Sequence, residues 1–178
     1  MKRHCVVVVQ QIDVLAEIAQ DFSALAAIGM DELERVDVCA VLQESAAMYR
    51  SSSANITWTF QGLDGEHEIQ ATRSHLLRVF NNLISNAVDA VSEEAVPRIS
   101  LSLNQTASGL EVLIQDNGEG IPKERLKKVF EPRFTSKRSG TGLGLTIAKS
   151  IVDQLDGRIE VSSKPGLGAT FRVFFKRN

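Results

Sequence analysis

Apolar residues recur at helical spacing over residues 10–27, where Ile12, Leu15, Ile18, Ala19, Phe22, Leu25 and Ala26 predict an amphipathic helix. Gly29 ends it in the manner of a helix C-terminus. The preceding Val6–Val9 run is β-branched and fits either an extension of this helix or a frayed chain end. Residues 30–35 are acidic and polar and read as a connection. A second helix is expected over 38–49, with Val38, Val41, Leu42 and Ser45 on one face. The period then changes from 3.6 to 2. Residues 55–60 alternate, with Ile56, Trp58 and Phe60 on one side, and a turn at 62–65 leads to a strand over 66–71 expected to pair back. The longest helix is predicted over 74–92, with Ser74 as N-cap and Leu77, Phe80, Leu83, Ile84, Ala87, Val88 and Val91 as its apolar face. A hairpin follows (98–103 and 110–115), then a glycine-rich stretch at 116–122 and a charged, aperiodic one at 123–139. A helix over 143–155 stops at Gly157, and strands at 158–163 and 169–176 close a second hairpin around Pro165, Gly166 and Gly168. From residue 38 onward three long helices stand beside six strands. The expected fold class is α+β, a two-layer sandwich whose mixed, mostly antiparallel sheet is covered on one face by about three helices.

Composition narrows the class of function. The 178 residues are 43% apolar and 24% charged, enough to fill one core. A net charge of −2 and a pI near 5.9 argue against a nucleic-acid footprint. No apolar run approaches the ~18 residues of a membrane span, and Gln10, Gln11 and Asp13 stand where a signal-peptide cleavage site would lie. Cys5 and Cys39 are far apart without zinc-ligand spacing, so structural thiols in a reduced, cytoplasmic setting are expected.

Three stretches could carry chemistry. Asn82 and Asn86 lie four apart, on one face of the long helix. Neutral amides at a rim can give oxygen to Mg²⁺, which keeps most of its waters and takes one or two protein ligands; they can equally cap backbone or face solvent. Asp116-Asn117-Gly118-Glu119-Gly120-Ile121-Pro122 directly follows a strand. Its carboxylate could accept a hydrogen bond from an exocyclic amine such as that of adenine, and its glycines permit close approach of a planar ligand. The same residues would serve a strand-ending turn. Gly140-Thr141-Gly142-Leu143-Gly144 opens the helix over 143–155, where unpaired N–H groups and the helix dipole favour anions. It has neither the dinucleotide fingerprint nor a Walker lysine. Lys137 and Arg138, just upstream, could reach a phosphate or be a solvated charge run.

In this order the stretches resemble the nucleotide-binding domain of sensor histidine kinases, within the ATPase superfamily shared with gyrase, MutL-type repair proteins and heat-shock chaperones. Residues 82–90 resemble the N box and 116–122 the first glycine box. Phe130-Glu131-Pro132-Arg133-Phe134-Thr135-Ser136-Lys137 resembles the F box of the nitrogen-regulation branch, with Arg133 departing from its usual aromatic or small residue. Residues 140–145 and 166–171 resemble the two later glycine boxes, and the resemblance covers roughly 36–178. It implies ATP and Mg²⁺ as cofactors, with Asn86 on the metal and Asn82 near the phosphates. It also implies Asp116 on the adenine amine, a base pocket shaped by Ala90, Gly118, Gly120 and Ile121, and phosphates held by the backbone of Gly140, Thr141, Gly142, Leu143 and Gly144, with Lys137 assisting. Thr170 is implied near the adenine, although Ala169 stands where the family often has another threonine. Residues of about 119–141 are expected to form a mobile ATP lid.

The family's phosphoacceptor signature, a His-Glu pair with Asn-Pro a few residues on, is absent from the 178 residues. Residues 13–27 resemble the second helix of the dimerisation hairpin that bears that histidine. The expected organisation is therefore a remnant of the hairpin at 1–30 and an ATP-binding catalytic domain at 31–178. The expected activity is transfer of the γ-phosphoryl of Mg-ATP to a histidine supplied by the hairpin domain of a parent kinase. That parent, a possible homodimer that could be membrane-anchored, is expected to serve an aspartate-bearing response regulator. A conformational ATPase would carry a hydrolytic glutamate one turn before the metal-binding asparagine, where this chain has Asn82; a nucleotide-binding regulator without kinase activity is the other alternative.

Overall fold

The structure, a computed structural model, describes residues 32–65, 67–132 and 142–176. The predicted helix over 10–27, the boundary at residue 30, and Lys137, Gly140 and Thr141 lie outside them. The elements run β1 (Glu34–Asp37), α1 (Val38–Ser52), β2 (Thr57–Gln61), β3 (Glu68–Ala71), α2 (Arg73–Ala90), β4 (Arg98–Thr106), β5 (Gly109–Asp116), a single turn α3 (Lys123–Leu126), α4 (Gly144–Gln154), β6 (Arg158–Ser163) and β7 (Ala169–Lys176).

Five strands form one sheet in the order β2-β4-β5-β7-β6, with β2 parallel to β4 and every other pair antiparallel. Alternation puts Ile99, Leu101 and Leu103 of β4, Leu110, Val112 and Ile114 of β5, and Phe171, Val173 and Phe175 of β7 on one face, all buried. Against that face α2 presents Leu76, Val79, Phe80, Leu83, Ile84 and Ala87, spaced three and four apart. Its neighbours α1 and α4 bury Val38, Val41, Leu42 and Ala46, and Ile147, Ala148, Ile151 and Val152. Truncating a side chain as enclosed as Phe80 costs about 3–5 kcal/mol in such a core. The other face carries Ser100, Ser102, Gln115, Thr170 and Arg172, none of them buried. Among the described residues no helix is long and apolar enough to cross a membrane.

Two local expectations are corrected. Of the strand expected over 66–71, residues 68–71 do not pair back on 55–60. β3 pairs antiparallel with β1 in a separate two-stranded sheet, and β1 begins within the stretch at 30–35 whose polarity suggests a connection. The stretch between β2 and β3 is no free turn, because Leu63 is buried and its carbonyl accepts from the Cys39 thiol at 2.9 Å and from Gln43 Nε2 at 3.2 Å. That anchorage to α1 carries the chain away from β2. Asp37 then joins the small sheet to α1, its Oδ1 accepting from the N–H groups of Cys39 and His67, each at 3.0 Å. The second correction is the α2 N-cap, which is Thr72 rather than Ser74 and makes no side-chain capping bond.

Candidate functional site

Asp116 ends β5, the middle strand of the sheet, on the helix-facing side next after Ile114, and is 4% exposed. A carboxylate so placed must be hydrogen-bonded to remain. Its Oδ1 accepts from the N–H of Gly118 at 2.9 Å and of Ala169 at 3.1 Å. Burial pushes its pKa above the ordinary value, and these backbone donors pull it part of the way back.

The chain after Asp116 is pressed between α2 and the β6–β7 turn. A β-carbon on Gly118 would lie 2.2 Å from the Ala90 carbonyl oxygen, and one on Gly168 2.0 Å from that of Asp116, so only glycine fits either crossing. Glu119 donates its N–H to the Ala90 carbonyl at 3.3 Å, and its own carbonyl accepts from Gly166 at 2.7 Å. Gly120 turns the chain with φ +71, and the Ile121 N–H reaches Ser163 Oγ at 2.8 Å. Ser163 in turn donates to the Gly168 carbonyl at 2.6 Å.

The two asparagines lie along α2 toward this loop. Asn82, Asn86 and Ala90 follow one another at four-residue intervals, on one line of about 12 Å at a rise of 1.5 Å per residue. Asn86 is half-buried. At the far end of the line, Asn82 packs on Gly144, the first residue of α4. Asn82 Nδ2 is buried with no hydrogen-bond partner, which leaves a donor at this junction able to serve an added acceptor. Gly142, at φ +68, and the buried Leu143 lead into that helix start, whose first N–H groups have no partners within the helix.

The structure thus brings together Asn82, Asn86, Ala90, Asp116, Gly118, Gly120, Ile121, Gly142, Leu143 and Gly144. It does not bring Thr170 to Asp116. Along β7 the helix-facing positions are Ala169 and Phe171, and Thr170 points to the other face. It lines an open cavity of about 510 Å³ at the β6 edge of the sheet with Leu126, Phe130, Glu160, Val161, Ser162 and Arg172. Four residues that hold the loops are not marked out for that role by the sequence. Ser163 and Asn117 look like ordinary turn or strand residues. Phe130 falls in the F box with nothing to name its neighbour, and packs edge-on to Phe171 at 6.5 Å between ring centroids. Thr146 ties α4 to the Phe130 carbonyl at 3.1 Å.

An acid on a central strand, a glycine loop crossing the end of a long helix, and a second helix start beside that helix's asparagine together define a nucleotide-site class of α+β protein. Residues 71–178 match the family described as histidine kinase-, DNA gyrase B-, and HSP90-like ATPase, and the chain belongs to that family. It is 34% identical over 148 residues to the sensor histidine kinase ZraS of Escherichia coli (strain K12), a match covering 82% of this chain and 31% of that protein. To the signal transduction histidine-protein kinase AtoS of the same organism it is 33% identical over 174 residues, covering 97% of this chain and 28% of the relative. The chain therefore spans less than a third of the length of either. The solved catalytic domain of histidine kinase ThkA is similar in structure, with a TM-score of 0.74 at 26% identity over 82% of this chain and 96% of that one. The expected fold and the family resemblance are both borne out.

Proposed function

We propose that the chain binds Mg-ATP along the Asn82–Asn86–Ala90 line of α2 and transfers its γ-phosphoryl to a histidine of a dimerisation hairpin. The observation that carries this is the placement of a buried acid at one end of a line of about 12 Å and an open helix N-terminus at the other. That separation suits a nucleoside triphosphate lying with its base at Asp116 and its phosphates at Gly142–Gly144. Asp116 accepts from the adenine amine, and the contact of Gly118 with Ala90 forms the wall of the base pocket. Residues Gly140, Thr141 and Leu143 extend the phosphate cradle, with Lys137 as its cation. Residues of about 119–141 act as the lid.

The amide oxygen of Asn86 fits a divalent hard cation, which needs only one or two protein oxygens when phosphates and water complete its shell. When bound, Mg²⁺ neutralises charge on the phosphate oxygens. What the chain's own residues do is hold the triphosphate still and exclude water from it. The imidazole nitrogen that attacks the γ-phosphorus comes from the hairpin domain, the bond to the β-phosphate oxygen breaks, and an acid beside that histidine takes the ring proton. The phosphohistidine would then serve the aspartate of a response regulator.

The experiment is incubation of the chain with labelled ATP, alone and with a separately made histidine-bearing hairpin. The expected result is acid-labile label on the hairpin and none on the chain, since His67, bonded through its backbone to Asp37 and Val38, and His75 of α2 belong to the domain's own framework, and His4 lacks the neighbouring acid that would take its ring proton. Stoichiometric label on the chain, or none on the hairpin, would overturn the assignment.

A further inference from the structure

We propose that Asn117 is the positioning residue of the base loop, acting on nucleotide only through the placement of Asp116; the proposal rests on the adenine assignment above. Its carboxamide is used at both ends. Oδ1 accepts from the Arg98 N–H at 2.7 Å, and Nδ2 donates to the Val96 carbonyl at 2.9 Å. The Asn117 N–H adds a bond to the Arg98 carbonyl at 3.3 Å.

These bonds begin where the strand ladder stops. Ile99 opposite Asp116 is the last register pair of β4 with β5, so the side chain of Asn117 stands in for the next rung. Val96 belongs to the connection between α2 and β4 and Arg98 opens β4, and α2 itself grips the loop two residues on through Ala90 and Glu119. The loop is therefore held at both ends by one stretch of chain, with Asp116 at its root. A group that donates and accepts at once is needed; aspartate keeps the acceptor alone, and alanine has neither.

Both side-chain bonds are solvent-exposed, and Val96 is 61% exposed. Water can take over the freed backbone groups, so their loss costs little stability while releasing the loop. A purely structural role predicts the opposite balance.

The test uses the 178-residue chain with two probes, Mg-ATP and inorganic triphosphate with Mg²⁺, in calorimetry. Asn117→Ala should weaken ATP by about fivefold to tenfold, leave inorganic triphosphate as in the parent, and cost nothing further in an Asp116→Asn background. Asn117→Asp should fall between the two. Parent-like ATP binding by Asn117→Ala, or equal loss of both probes, overturns the proposal. If Asn117→Ala fails to fold, the same criteria apply to Asn117→Asp. A deficient Asp116→Asn beside a normal Asn117→Ala removes Asn117 alone. A silent Asp116→Asn removes the adenine assignment and Asn117 with it.

Discussion

A β-carbon built on Gly144 would lie 2.9 Å from Oδ1 of Asn82. The first residue of α4 thus meets the carboxamide of Asn82, in the middle of α2, with no side chain of its own between them. The contact works in both directions, since the asparagine sets how closely α4 can approach and the glycine sets where the carboxamide lies.

Gly144→Ala should therefore act on binding more than on stability. The methyl would meet the end of a flexible side chain, which can turn aside, and alanine favours helix over glycine by up to about 1 kcal/mol. Thermal unfolding should stay close to that of the parent while Mg-ATP affinity falls at least several-fold. A variant that unfolds early but binds normally would contradict this.

Asn86→Ala should remove the metal-dependent part of ATP binding. Deleting one charge-assisted interaction costs about 1.5–3 kcal/mol, measured by calorimetry as the difference between affinities with and without Mg²⁺. An unchanged difference would show that the metal ligand lies elsewhere.

Asp116→Asn separates function from stability. The carboxyl pKa is raised in the folded chain by burial, so its contribution to stability is fully present below its unfolded pKa and is lost as pH rises through the folded value. Asparagine has no charge to bury and keeps an oxygen for the N–H groups of Gly118 and Ala169. The variant should gain in melting temperature relative to the parent between acid and neutral pH, while losing about 1–3 kcal/mol of ATP binding through a mispaired amide. A gap in melting temperature that does not grow with pH would refute the sign.

Gly118→Ala should be costly in both respects. Its β-carbon would overlap the Ala90 carbonyl oxygen, carbon and methyl, and none of the backbone can step aside without moving the end of α2. Overpacking of this kind costs about 1–3 kcal/mol, readable in denaturant unfolding, and ATP binding should fail with it. Parent-like stability would mean that the loop crosses α2 less closely.

The two hairpins are legible in sequence because each joins clean alternation to a glycine-bearing turn, and α2 because its apolar residues fall at three- and four-residue steps over five turns. The pairing of β1 with β3 is not. Glu34 and Arg35 are exposed and only Val36 is buried, so four residues carry no period. What decides β3 is the anchoring of Leu63 to α1, a contact made 24 residues apart. At the site, residue types announce the acid, the amides and the glycines. Which of Ala169 and Thr170 faces Asp116 depends on strand register, which composition does not reveal. Asn117 stays hidden because asparagine after a strand is the expected turn residue whether or not its carboxamide holds anything.

The position of β5 at the middle of the five-stranded sheet has a consequence for how the domain breathes. Amides of a central strand exchange with solvent only through openings close to global unfolding, whereas the ends of a peripheral helix open locally at much lower free energy. Asp116 is rooted in the first kind of structure and Gly144 in the second. A ligand spanning both would slow exchange chiefly in the first turn of α4 and leave β5 nearly unchanged, so the protection gained would be lopsided. On the proposed placement of the nucleotide, the base end would act as a fixed post and the phosphate end would be where binding energy is converted into order.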